Sequence, residues 1–351
     1  MAQKLKIAIL YETWGDEEET PQPPVEKKRK KGKKRKKREK HDREEVFEAV
    51  EGLGHEPSYY ALDGDEKSLI ALTRSDADLF FNLVESYAGD DTMEMHVTAY
   101  LDLFGRLYTG SGPRAMYLAQ DKGLAKKIFA FHGIRTPFFA TCYRGNLDHC
   151  HDISFPLIVK PVSEDGSIGI DQNSVVKTVK ELMERIQYVQ DEFDSPALLE
   201  EYIEGREIYA GILGNQNPEV LPLIELDLSR LPAGVPRVAG TEVKWEKESE
   251  AYKVTKSAPV EDFDEKTTEL LSKTALAAYR SLRLRDYGRI DMRLTEKGEV
   301  YVIEANPNPW LSSNSEFYMS AKKSGRSYSE MIGEIVELAL TDRRRRDSVR
   351  S

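Results

Sequence analysis

Cysteine is nearly absent: Cys142 and Cys150 are the two in 351 residues. That number excludes a disulfide framework and gives no cysteine metal spacing, so a reducing cytoplasm is expected. Long apolar runs are missing too. None is long enough to span a bilayer, which argues against a membrane partner. The first residues, KLKIAILYETWG, lack the extended apolar core and small-residue cleavage site of a secretory signal. Hydrophobic residues make up 40% of the chain and charged residues 32%, less apolar and more charged than an average globular protein. Part of that charge is concentrated. Lys27 to Lys40 carries twelve Lys/Arg and one Glu, a local +11; with −10 overall, −21 remains on the rest.

The length suits two or three packed domains. Residues 4–11 read as a buried parallel strand. A Pro-rich stretch (Pro21, Pro23, Pro24) and the basic run follow, then a helix from Glu44 to Leu53 and strands at 55–62 and 79–84. Strands alternating with helices predict an open α/β domain over 1–113, with a basic, disordered insertion at 21–43. One helix is expected from Ala115 to His132, closed by Gly133. Strands are expected at 155–161, 197–203 and 207–213, and helices at 178–190, 264–282 and 327–340. Residues 235–257 read as a long, charged, mobile loop. Domain boundaries are placed at 114–200 and 201–340, with a basic tail at 341–351.

The most informative stretch is YGRIDMRLTEKGEVYVIEANPNP. It reads as two alternating strands around the turn residues Glu296 to Glu299. With the turn centred between Lys297 and Gly298, Asp291 faces Glu304, and Arg289 faces Asn306 on the same side of the ribbon. Opposed carboxylates repel unless a cation lies between them. Such oxygen donors suit Mg²⁺ shared with phosphate oxygens, so a magnesium–nucleotide site is expected at Asp291, Glu304 and Asn306. The plainer alternative is an exposed ribbon with charged faces.

Three further segments are weak singly. Lys160 ends a buried strand, and is either a surface lysine or a phosphate ligand aimed into a cleft. Glu164 to Gly169 is rich in glycine and serine, and is either an ordinary hairpin loop or a cradle of N–H groups for phosphate. Glu200 to Glu207 offers extended backbone for a base edge and Glu207 for a ribose, or is a strand with acidic ends.

Together LYTGSGPRAMYLAQDKGLAKKIF, FPLIVKP, GSIGI, LLEEYIEGREI, GRIDMRL and EANPNP resemble the D-alanine–D-alanine ligase family of ATP-grasp enzymes, in order over residues 79–340. The resemblance implies an α/β (α+β) ATP-grasp fold of three domains, with ATP between the central and C-terminal ones and an open parallel sheet at the N-terminus. It implies ATP with Mg²⁺ or Mn²⁺, small amino-acid-like substrates and a homodimer. Lys122 and Lys160 would meet the phosphates, and Ser167 would sit in the loop closing over them. Glu200, Glu201, Tyr202 and Ile203 would line the adenine, mainly through backbone groups, and Glu207 would bind ribose. Lys244 matches a loop lysine that reaches the γ-phosphate, with Trp245 replacing a tyrosine. Asp291, Glu304 and Asn306 would hold two Mg²⁺, Arg289 would stabilise the reacting carboxylate, and Ser315 would bind the second substrate's carboxylate. The implied chemistry is carboxylate phosphorylation, attack of an amine on the acyl-phosphate, and release of amide and phosphate.

Three departures fall on the substrate side. The family's first-loop glutamate gives way to the basic segment. Its histidine after the third strand has no match in Asn82-Leu83-Val84-Glu85-Ser86, and Trp310 stands where the family has glycine. The expectation is an ATP-dependent carboxylate–amine ligase. The alternatives are a relative joining other amino acids or a peptide, and a nucleic-acid-associated ATP-binding protein using the basic run.

Overall fold

The computed structural model describes residues 4–13, 40–150, 154–162, 164 and 166–350, and they build three sheets. The basic run lies outside the described residues except for Lys40, which pairs with Glu48. Along the first part of the chain β1 (Lys6–Glu12), α1 (Asp42–Gly52), β2 (Glu56–Leu62), α2 (Glu66–Arg74), β3 (Leu79–Asn82) and α3 (Glu94–Leu103) alternate. The strands are parallel, in the order β2-β1-β3. Ile7, Ala8, Ile9 and Leu10 are all buried, as expected of a parallel strand covered on both faces.

The single helix expected at 115–132 is two: α4 (Pro113–Gln120) and α5 (Lys122–Phe131). Asp121 interrupts it. Its backbone is extended (φ −75°, ψ 92°), and its carboxylate accepts from Leu124 N at 2.8 Å as the cap of α5. The break places Lys122 in the first turn of α5.

The second sheet is antiparallel, in the order β5-β4-β8-β6-β7. It comprises β4 (Phe139–Tyr143), β5 (Asn146–Cys150), β6 (Leu157–Pro161), β7 (Val175–Val176) and β8 (Ala197–Glu201), and is covered by α6 (Val179–Phe193). Cys142 in β4 is a buried free thiol. The third sheet is also antiparallel, in the order β12-β11-β9-β13-β14 with β10 on β9. It uses β9 (Arg206–Leu213), β10 (Glu219–Val220) and β11 (Ile224–Asp227). After α7 (Thr241–Lys244) and α8 (Glu250–Val254) come β12 (Lys256–Pro259), α9 (Glu265–Ser281), β13 (Tyr287–Leu294) and β14 (Val300–Asn306). The stretch read as a mobile loop thus carries two short helices and buries Ala239 and Val243 against Tyr209 and Ile224.

Period-two alternation divides the third sheet. Ile208, Ala210, Ile212, Ile290, Met292 and Val302 pack with α4, α5 and α9. The residues between them turn to the opposite face. The chain ends with α10 (Glu316–Lys323) and α11 (Tyr328–Arg350), so the segment read as a basic tail continues a helix. Met331, Ile332, Ile335, Val336 and Ala339 bury one stripe of α11 with Val46, Ala49 and Val50 of α1. No helix among the described residues is long and apolar enough to cross a membrane.

Gly205, between β8 and β9, lies against the other end of the hairpin. A Cβ there would sit 2.3 Å from the Leu294 carbonyl oxygen. Gly205→Ala should cost about 1–3 kcal/mol through overpacking, read as a lowered midpoint in urea unfolding.

Candidate active site

The β13–β14 hairpin pairs Asp291 with Glu304 and Arg289 with Asn306, as expected. The turn is centred differently. Leu294 pairs with Val300, Arg293 with Tyr301 and Met292 with Val302, which centres it on Lys297. The register shifts between Met292 and Asp291, leaving Ile303 as the extra residue of a bulge. The bulge restores the Asp291–Glu304 pairing and brings Ile303 and Glu304 together to line one cleft.

That cleft is open to solvent, with about 590 Å³ of free space counted out to its mouth. Its floor is the polar face of the third sheet. Glu207 stands beside Arg293 and Tyr209 beside Asp291 across β9 and β13. Arg289 holds Asp291 through both oxygens, Nε–Oδ1 at 2.7 Å and Nη2–Oδ2 at 2.9 Å. Its guanidinium lies 4.9 Å from the Tyr209 ring centroid and 3.9 Å from Glu316. Arg293 pairs with Glu207, which also accepts from Tyr209 Oη at 3.1 Å.

Lysines enter from the second sheet and from α5. Lys122 Nζ is 3.1 Å from Glu304 Oε1 and donates to the Glu164 carbonyl at 2.6 Å. Lys160 Nζ is 2.6 Å from Glu200 Oε2, and Lys126 pairs with the other Glu200 oxygen. The two opposed carboxylates respond differently. Burial works to raise both. For Glu304 the attraction of Lys122, Lys160 and Lys244 outweighs it and brings the pKa down to about 2. For Asp291 burial prevails over Arg289, and the pKa rises.

The 235–257 segment closes one side. Thr241 N donates to the Ile170 carbonyl at 2.9 Å and Trp245 Nε1 to the Gly166 carbonyl at 2.7 Å. Arg237 N donates to Tyr202 Oη at 2.9 Å. Lys244, at the end of α7, lines the cleft with its Nζ 5.9 Å from the Tyr209 ring centroid. Trp245 meets Trp310 edge to face, with centroids 6.3 Å apart. Ser167, beneath this segment, has a left-handed backbone (φ +68°), a conformation that costs about 1 kcal/mol or more.

The family model for the D-ala D-ala ligase C-terminus matches residues 121–337, more than half of the chain. The chain belongs to the D-alanine–D-alanine ligase family. The D-alanine–D-alanine ligase of Aquifex aeolicus is 30% identical over 296 residues, covering 83% of this chain and 92% of that protein. The protein y4sG of Sinorhizobium fredii is 33% identical over 305 residues, 84% and 86% of the two chains. The fold resembles that of the Bacillus anthracis D-alanine–D-alanine ligase complexed with ATP, with a TM-score of 0.71 at 22% identity over 97% of this chain and 99% of that one. This is an ATP-grasp fold, and the protein is an ATP-dependent carboxylate–amine ligase.

Of the residues singled out in this ligase's sequence, Lys160, Ser167, Glu200, Glu201, Tyr202, Ile203, Glu207, Lys244, Asp291 and Glu304 line the cleft. Lys122, Arg289 and Asn306 stand behind them. Ser315 caps α10, its Oγ accepting from Tyr318 N at 3.2 Å, and does not line the cleft. The stretch expected to bind the base has partners within the fold. The buried Glu200 side chain turns to the lysines. The N–H groups of Glu201 and Tyr202 already donate to the Phe138 and Pro156 carbonyls at 3.0 Å, so neither is available to a base edge.

Sequence reasoning missed Arg293, Tyr209, Lys126 and Glu316. Arg293 was within reach of the pattern, since it follows Asp291 by two on the same strand face. Lys126 follows Lys122 by four on α5 and shares its face, a relation already present in the helix expected over 115–132.

Gly240 is where this closing segment approaches most tightly: a Cβ would lie 2.6 Å from the Ile170 carbonyl oxygen. Gly240→Ala should keep the segment from seating and lower kcat/KM by roughly 10- to 100-fold. Phosphate released per amide formed should rise as water reaches the acyl-phosphate; comparing the two products measures it.

Proposed function

We propose that the protein phosphorylates the carboxylate of one small amino-acid-like substrate with Mg²⁺-ATP and joins it to the amine of a second. The observation that carries this reading is the opposed pair of buried Asp291 and half-buried Glu304 on the bulged hairpin, with Arg289, Lys122, Lys160 and Lys244 placed around it. Its amino-acid class rests on relatives whose names specify D-alanine–D-alanine ligase, and on the fold of the VanG D-Ala:D-Ser ligase of Enterococcus faecalis (TM-score 0.69).

The residues fit a magnesium ion. Two carboxylates from facing strands supply hard oxygen donors, and Asn306, paired with Arg289 at the next position of the ladder, would add its side-chain carbonyl oxygen. When bound, Mg²⁺ supplies charge neutralisation between nucleotide phosphates. Lys160, Lys122 and Lys244 hold the phosphates, and Ser167 shapes the loop above them. Glu207, fixed by Arg293 and Tyr209, takes the ribose, while the Glu201 to Ile203 stretch forms the wall beside the base. Arg289 balances the charge that develops on the reacting carboxylate. The 235–257 segment excludes water while the acyl-phosphate waits for the amine. Trp310, where the family has glycine, meets Trp245 of the closing segment edge to face.

A phosphate-release screen over paired D- and L-amino acids with Mg²⁺-ATP tests the reading. Release with at least one pair, yielding stoichiometric amide, is expected; no release with any carboxylate and amine overturns it. Glu304→Ala should lower turnover by about 10²-fold or more with the thermal midpoint nearly kept, and normal turnover in that variant would remove the metal assignment.

A further inference from the structure

We propose that Lys126 is a positioning residue of the ATP site, keeping the positive charge of Lys160 available to phosphate by taking up half of the Glu200 carboxylate. Lys126 is 1% exposed and does not line the cleft, so it does not touch the nucleotide. Its ammonium has three acceptors: one Glu200 oxygen, Thr136 Oγ1 at 3.0 Å and the Ile303 carbonyl at 3.2 Å. These use all of its donors. The second Glu200 oxygen holds Lys160 at 2.6 Å.

Charge counting gives the consequence. Lys126, Glu200 and Lys160 together carry +1, and Lys160 alone of the two lysines reaches the cleft. Without Lys126, the buried Glu200 carboxylate would be matched by Lys160 alone, leaving a neutral pair where an anion must bind. An apolar residue would fill the Lys126 position without the desolvation cost of an ammonium, which makes stability a poor reason for a lysine there. Burial pushes the Lys126 pKa down, and the two lysines hold Glu200 low against its own burial. The Ile303 contact adds a positional link, because Ile303 is the bulge residue next to Glu304.

The proposal rests on ATP being the bound nucleotide, and adenosine separates the two ideas. In the full-length protein, Lys126→Met should weaken ATP binding on the order of tenfold or more, with adenosine binding within about twofold of wild type because adenosine carries no phosphate charge. The loss should fall on KM for ATP more than on kcat. Lys126→Arg, which keeps the charge, should retain most of the ATP affinity. Lys126→Met combined with Glu200→Gln returns the cluster to +1 and should bind ATP about as wild type does. Unchanged ATP affinity in Lys126→Met, an equal fall for adenosine, or a double variant folded by its thermal melt yet tenfold weak for ATP would each overturn the proposal. If Lys126→Met folds poorly, the double variant against wild type carries the test alone. Failure of the wild-type protein to bind ATP would count against the ATP assignment instead.

Discussion

Charge removed from water must be answered within a few ångströms, and this constraint organises the site. Two buried carboxylates, Glu200 and Asp291, and the half-buried Glu304 lie where the second and third sheets meet. Each has its cation: Lys126 and Lys160 at Glu200, Arg289 at Asp291, Lys122 at Glu304. α5 links the two sheets, with Lys126 pairing to Glu200 of the second and Lys122 to Glu304 of the third. Burial alone would favour neutral carboxyl groups. The lysines reverse that at Glu304, while Asp291 stays on the raised side despite Arg289.

The bulge at Ile303 is the local device on which this arrangement turns. A regular ladder from the observed turn would put Glu304 out of step with Asp291. One extra residue returns Glu304 to its place and presents the Ile303 carbonyl to Lys126. Two neighbouring side chains then share a face that strict alternation would divide between two. The hairpin joins the apolar core beneath, through Ile290, Met292 and Val302, to the charged floor above.

Closure is achieved with few contacts. Thr241 donates to the Ile170 carbonyl through both its N–H and its hydroxyl, Trp245 donates to the Gly166 carbonyl, and Arg237 meets Tyr202 at the base-side wall. Gly240 lets the backbones approach. Such a seam is tight enough to exclude water and weak enough to open. Trp245 and Trp310 meet edge to face at the same place, the part of the molecule that departs most from the family pattern.

Much of the ATP side was legible in the chain. Alternation about a turn centred between Lys297 and Gly298 predicts Asp291 opposite Glu304, and the structure reaches that pairing through a turn centred on Lys297 and the bulge at Ile303. The buried parallel strand at Ile7 to Leu10 and the cleft position of Lys160 were equally local matters. What the residues could not disclose came from contacts across long sequence separations. Asp121 broke an expected helix because its carboxylate caps the next one. The Glu200 side chain meets two lysines, one of them 74 positions earlier in the chain. Ser315 became a helix cap. Sequence by itself determined which side chains share a face wherever the ladder is regular, since that depends on backbone periodicity; the bulge at Ile303 is the exception. Only the tertiary structure decided which charge meets which, since a buried ion takes its partner from whatever element the fold packs beside it.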